Sequence, residues 1–295
     1  RRFLAAAGAV ALLVSAGCTS TSQRQAAARE ARLAGALTFH AGFDGTADAG
    51  YARGDRRIQH GPQWGKPRDV VPGLPAGGVV RVDAGAGRHG DALRFEKKIP
   101  QLVAYLTEGN LAYRTNGWSG TVSFWLRVDP ETDLEPGYCD TIQITSKDWN
   151  DAAFFTEFTK DEKPREFRLG AYADYPVWNP KDRKWEEMSL GEKPLAPVIK
   201  PPFRRDRWTH VAFTWENFNT GRPDGVTRLY LDGELAGEIS ARPQTFTWDL
   251  ARVRIMLGLS YTGWLDDLSI FDRCLNAADI QALHRLPGGV ADLYR

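Results

Sequence analysis

The chain has little cysteine and little net charge: three cysteines and two methionines occur in 295 residues, and 38 Lys and Arg nearly balance 37 Asp and Glu. Charge this even gives no electrostatic stripe for a phosphate backbone, so no nucleic-acid partner is expected. The five histidines, His40, His60, His89, His210 and His284, show no zinc-ligand spacing. No Gly-x-Ser-x-Gly elbow and no nucleotide-binding glycine loop occurs, which removes serine-esterase and nucleotide chemistry. Long apolar runs are missing as well. The longest, Phe3 to Val14, is about a dozen residues, whereas a helix needs about 20 to cross a bilayer.

That short run lies behind Arg1 and Arg2 and ahead of the small residues Ser15, Ala16 and Gly17, which lead into Cys18. Charged, apolar and cleavage regions stand in the order that export requires. Small residues before a cysteine resemble the bacterial lipobox, with Ser15 where leucine is usual. Residues 1–17 therefore read as a signal peptide and Cys18 as a lipidated N-terminus. Residues 18–36 read as a flexible tether, because Thr19 to Gln25 are polar and rich in serine and threonine. The expected location is the cell envelope, periplasmic or surface-facing, with membrane contact through the lipid alone. Cys139 and Cys274 remain; export would permit one bridge between them, but two cysteines are no framework, and separate buried thiols are the better expectation.

Residues 37–295 read as one strand-rich domain, within the size that all-β sandwiches reach. Leu37 to Phe43, Ala92 to Phe95, Thr121 to Val128 and Trp208 to Trp215 alternate apolar and polar residues between Gly, Pro, Asn and Asp stops. Ala153 to Thr159 and Glu166 to Tyr172 can pair across a polar turn. Asp232-Gly233, between the arms Thr227 to Leu231 and Glu234 to Ile239, supplies the positive φ angles of a tight hairpin. One helix is signalled, over Ala277 to His284, with Asn276 as cap and Leu275 and Ile280 as its hydrophobic staple.

Five segments, in this order, resemble the laminin-G-like jelly roll of the concanavalin A-like lectin and glucanase superfamily. They are Phe43-Asp44-Gly45; Gly90 to Phe95; Gly120 to Trp125; Arg207 to Ala212 running on to Leu231-Asp232-Gly233; and Gly263 to Leu275. The resemblance implies an all-β fold, a two-sheet antiparallel jelly-roll sandwich with one short C-terminal helix. Two departures stand out: a long insertion between Tyr172 and Phe203, and Cys274 where a small residue is usual.

The family commonly holds calcium, and Asp44, Gly90 and Asp266 occupy the matching stretches. Asp266 is in phase with Leu268 and Ile270 on a strand, so it should point to the apolar face and need a partner. Calcium would satisfy it with carboxylate and carbonyl oxygens; backbone N–H groups or an arginine would serve equally. Carbohydrate binding is the other expectation of the resemblance. It requires aromatic faces for sugar rings, and Trp149, Tyr172, Tyr175, Trp178 and Trp185 crowd into the loops. Covering the sandwich edge is the alternative role for them. Trp125, Trp208 and Trp215 fall inside strand patterns and are expected in the core or on a sheet. The paired-acid string Glu-x-Asp-x-x-Glu of the superfamily's glucanases is missing, so no catalytic residue is assigned; Glu157, with Glu166 facing it across the hairpin, is the weak candidate. The expectation is a non-catalytic, lectin-like module for a glycan or glycoprotein. The alternatives are a glycoside hydrolase or polysaccharide lyase on the same fold, and a structural or partner-binding envelope protein.

Overall fold

The short alternating runs fold into two stacked antiparallel sheets. A computed structural model describes residues 21–64, 69–160 and 162–295; the leader and Cys18 lie outside the described residues. The first helix, α1, spans Thr21–Ala36. Strands follow as β1 Leu37–Ala41, β2 Tyr51–Ala52, β3 Gln59–Gly61, β4 Val71–Pro72, β5 Val80–Asp83, β6 Ala92–Phe95 and β7 Leu102–Leu106. Then come β8 Trp118–Arg127, β9 Cys139–Thr145, β10 Ala153–Phe158, β11 Phe167–Tyr172, the short helix α2 Tyr175–Trp178 and β12 Leu195–Val198. The chain closes with β13 Thr209–Phe218, β14 Gly225–Leu231, β15 Glu234–Arg242, β16 Arg254–Leu259, β17 Gly263–Phe271 and α3 Ala277–His284.

One sheet runs β15-β14-β13-β8-β17-β1-β2, with β6 and β5 added beside β17; the other runs β12-β11-β10-β9-β16-β7-β3-β4. Side chains alternate between the faces of each strand. On β8, Trp118, Val122, Phe124 and Leu126 enter the core between the sheets, while Thr121, Ser123, Trp125 and Arg127 face outward. Aromatic packing dominates the core. Trp118 lies 5.0 Å from Trp215, and Phe154 stacks on Phe246 at 4.9 Å; full burial of such a side chain stabilises the fold by about 1.5–3 kcal/mol. Cys139 and Cys274 are free thiols.

Local chemistry sets the turns as expected. Asp232 and Gly233 adopt φ of 50° and 84° between β14 and β15. Asn276 accepts the Asp279 N–H at 2.9 Å to cap α3. Leu275 and Ile280 are both buried.

The segment expected to be a flexible tether is different: it is helical over Thr21–Ala36. Leu33 and Ala36, three residues apart and so on one helix face, are buried against Leu275, Ile280 and Leu283. Arg32 and Arg29 reach Asp279 at 3.0 and 3.4 Å. Packing of this kind, more than local propensity, makes a helix of a polar segment. The insertion between Tyr172 and Phe203 is also structured. It contributes α2, two single 3-10 turns and β12, which pairs with β11 and extends the second sheet.

Candidate functional site

A cavity of about 640 Å³ opens on the outer face of the second sheet. Its floor follows from strand alternation. Phe154 and Phe158 of β10 enter the core, which turns Phe155 and Glu157 outward; Met256 of β16 lies on the same floor. Gly170 on β11 stands opposite Phe155, and a Cβ there would come within 2.3 Å of the Phe155 ring. The glycine thus lets the phenyl ring lie flat across the neighbouring strand.

Four aromatic residues rise around this floor: Trp64, Tyr138, Trp149 and Trp185. Trp64, Tyr138 and Trp149 are 47%, 44% and 49% exposed, which places them among the few large apolar side chains left to solvent. They stand on a built support. Trp149 meets Trp185 edge-on at 5.9 Å and Tyr172 at 5.5 Å, and Tyr172 stacks on Phe155 at 5.5 Å. Lys193 Nζ lies 4.3 Å from the Trp185 ring centre.

Across the floor runs a row of polar side chains. Glu157 is the cross-strand partner of Arg168 on β11 and of Asp140 on β9. The Asp140 pairing depends on a bulge: Thr156 pairs with Ile142, but Glu157 pairs with Asp140, so Thr141 is the extra residue. Strict alternation from Ile142, which is in the core, would send Asp140 inward; the bulge turns it to the groove instead. Thr141 is held by its hydroxyl, 2.7 Å from that of Thr156. Arg168 donates to Glu157 Oε1 from Nε at 3.0 Å and again from Nη2, and its guanidinium lies 5.1 Å from the Tyr138 ring centre. Asp140 and Glu157 thus stand side by side as cross-strand partners on the groove face. Burial raises Asp140 well above the ordinary carboxyl range, and Glu157 raises it further. Burial also raises Glu157, against the pull of Arg168.

Of the five loop aromatics expected to contact a ligand, Trp149 and Trp185 line this groove. Tyr172 does not, because it is fully buried and acts as the support beneath them. Trp178 donates to the Asn150 carbonyl at 2.7 Å and borders a separate hollow of about 340 Å³. Tyr175 donates to Asp182 at 2.6 Å and lines neither. Glu166 is not opposite Glu157, since the hairpin register gives that place to Arg168. Sequence reasoning missed Asp140, whose direction depends on the bulge, and Trp64 and Tyr138, which arrive from distant loops without a local pattern.

Asp44, Gly90 and Asp266 gather at the 85–91 loop, away from this groove. Asp266 is fully buried, but not on the core face that strand phase with Leu268 and Ile270 implied: a bulge between Asp266 and Ser269 breaks that phase, Asp266 pairs with the outward-facing Trp125, and the 85–91 loop supplies its partners. Its Oδ2 accepts from the Arg88 and His89 N–H groups at 2.7 and 3.0 Å, and its Oδ1 accepts from Asp267 N–H at 2.7 Å. Burial and the neighbouring Asp267 carboxylate push it up to about 8, against these three donors. Gly90, at φ 82°, approaches Asp44 so closely that a Cβ would lie 2.1 Å from Oδ1. Asp44 accepts from Asp91 N–H at 3.2 Å and pairs with Arg295 at 3.2 Å. Among the described residues no three acid, histidine or cysteine side chains are grouped to hold a metal ion. The donors around Asp266 are N–H groups, which point hydrogen rather than oxygen at the carboxylate, so they fit hydrogen bonding better than a calcium cage.

The fold and the groove can now be compared with known proteins. The family model described as the concanavalin A-like lectin/glucanases superfamily matches residues 104–281, more than half of the chain. The chain belongs to this superfamily. The match takes in the groove strands β9 to β11 and the β14–β15 hairpin. No curated protein matches significantly. Among solved structures of the superfamily's fold, domain 4 of AbnA, a GH43 extracellular arabinanase from Geobacillus stearothermophilus, solved with arabinotriose, superposes with a TM-score of 0.53. Identity is 16%, over 85% of this chain and 98% of that domain. The binding domain of Botulinum neurotoxin DC, solved with rat synaptotagmin II, gives 0.55 at 13% identity, covering 85% of this chain and 52% of the toxin domain. The same toxin domain with SialylT gives 0.51 at 12% identity, covering 84% and 50%. This chain therefore spans about half of the toxin binding domain.

Proposed function

We propose that the chain is a non-catalytic carbohydrate-binding module of the lectin-like kind, held at the bacterial cell envelope through a lipid on Cys18. One observation carries the binding half: three of the few exposed large aromatics, Trp64, Tyr138 and Trp149, surround a single groove whose floor bears hydrogen-bonding groups. Aromatic faces pack on the apolar faces of sugar rings, and polar groups at their edge fix orientation. The arabinanase domain solved with arabinotriose supports this reading by analogy of fold, and analogy of fold alone does not assign a ligand. The envelope half rests on the order Arg1-Arg2, apolar run, small residues, Cys18.

Hydrolysis is the less favoured reading. Glycosidases need one carboxyl group free to attack or activate water and a second to protonate the leaving oxygen, whereas Glu157 is buried and bound twice by Arg168. The test is a glycan array with the parent and a Trp149→Ala variant, followed by an assay for reducing-sugar release on each hit. Binding that Trp149→Ala weakens about tenfold or more, ~1.4 kcal/mol, is expected, with no sugar released. Turnover would move the assignment to a hydrolase, and a blank array would favour a protein partner. Labelling with a lipid precursor, lost on Cys18→Ala, tests the anchor.

A further inference from the structure

The polar row on the groove floor narrows the ligand class, and this step rests on the carbohydrate reading above. Two carboxyl groups held side by side with one cation between them favour keeping a single proton, because like charges this close oppose each other's ionisation. Asp140 and Glu157 are cross-strand neighbours, and Glu157 is the one bound by Arg168. The proton therefore belongs on Asp140, which burial and the adjacent Glu157 both raise. One carboxylate and one guanidinium then cancel, and the floor is uncharged. Glu157 is buried at 6% exposure, while Asp140 is only half-buried and lines the cavity, so Asp140 is the member that a ligand reaches.

Among the described residues, the cations near the groove are already engaged. Lys147 pairs with Asp151 at 3.2 Å and Asp174 at 3.1 Å. Arg168 is committed to Glu157. Lys193 and Lys160 lie over the Trp185 and Tyr138 rings at 4.3 and 5.8 Å and do not line the cavity. Asp148 and Glu186 do line it and are exposed. A sugar carboxylate entering between the tryptophans would thus meet acids on the wall and a carboxyl pair below, and like charges brought together in this way oppose binding.

We propose that the groove takes an uncharged oligosaccharide and that Asp140 is its specificity-determining residue, reading sugar hydroxyls in the protonated form and turning away uronic and sialic acids. Burial raises both above the usual carboxyl range, and the adjacent Glu157 raises Asp140 further, which favours the protonated form of Asp140. Raising the pH far enough to remove its proton leaves two carboxylates beside one arginine. Groups facing Asp140 from the adjoining strands are Glu157 and Arg168 on β10 and β11 and the uncharged Leu259 on β16; Arg168 is the one cation among them, it is paired with Glu157, and its pull on Asp140 is outweighed by burial and by Glu157.

The experiment is tryptophan-fluorescence titration of the whole chain from pH 6 to 9 with arabinotriose and cellotriose as neutral probes and trigalacturonate and sialyllactose as acidic ones. Parent protein should bind a neutral probe roughly tenfold or more tighter than either acidic one. That binding should weaken roughly five- to tenfold as the Asp140 proton leaves. Asp140→Asn, which keeps a donor without titrating, should bind the neutral probe at all pH values alike. The exposed pair Asp148→Lys and Glu186→Lys, which does not disturb the floor, should narrow the gap between probe classes. Acidic probes binding as tightly as neutral ones in a Trp149-dependent way, or parent affinity flat with pH, would overturn the inference and leave the carbohydrate reading standing. No Trp149-dependent binding by any probe would overturn both.

Discussion

The two outer faces of the sandwich are treated in opposite ways. On the first sheet the outward residues of β8, β13 and β17 are covered. Trp125 is packed between His210 at 5.0 Å and His284 at 5.4 Å, α3 and α1 lie on an apolar layer that includes Tyr230 and Phe271, and Trp264 is sandwiched by Arg94 at 3.5 Å and Arg127 at 4.2 Å. On the second sheet Phe155, Met256 and Leu259 form the floor of a groove whose walls include the exposed Trp64, Tyr138 and Trp149. Both faces carry apolar surface that water disfavours. Where the chain supplies its own cover, the aromatics are structural; where it leaves an opening, they are available to something else.

This contrast can be broken from the covered side first. Ile280 is fully buried on the inner face of α3, and Ile280→Ala should cost about 2–5 kcal/mol in urea unfolding while leaving sugar affinity unchanged. A loss of affinity equal to the loss of stability would show that the faces are not independent. Acid should also strike the covered face. Burial, with His284 adding to it, pushes His210 down to about 3, and burial lowers His89 and His284 as well. These imidazoles are held neutral in the fold, so their contribution is present above the ordinary histidine value of about 6.5. It is lost as pH falls from there toward the folded value, because the unfolded chain binds the extra protons. Melting temperature should drop on acidification through this range, and His210→Gln should flatten the drop.

The open face is sharpened by Gly170→Ala. The added Cβ would meet Phe155, so overpacking of about 1–3 kcal/mol should appear together with weaker sugar binding, both readable in one fluorescence titration with denaturant controls. The smallest effect belongs to the 85–91 loop. With Asp266 accepting three N–H groups, a chelator should leave the melting temperature where it was. A fall of several degrees would restore calcium as the ligand of Asp44 and Asp266.

Features encoded within a few residues were legible in the sequence: the Asp232-Gly233 turn and the Asn276 cap each follow from local geometry, whereas the face of Asp266 depends on the bulge that follows it, which breaks the phase with Leu268. What escaped depends on contacts between distant segments. The 21–36 stretch has a polar composition that reads as a tether, and only docking of Leu33 and Ala36 on α3 makes it a helix. Glu157 was recognisable as a strand residue, yet its neighbours follow from register, which put Arg168 rather than Glu166 beside it. The loop aromatics were legible as candidates, but five similar side chains gave no sign of which would line the groove, as Trp149 and Trp185 do, and which would be buried, as Tyr172 is.

The single extra residue at Thr141 makes the groove floor editable by register. Deleting it would give β9 and β10 regular pairing with Asp140 still opposite Glu157, whereas pairing Thr141 itself with Glu157 would bring a hydroxyl up beneath the ligand and turn Asp140 to the core side. Recognition in this sandwich can thus diverge through the register of one strand, with no change to the aromatic walls.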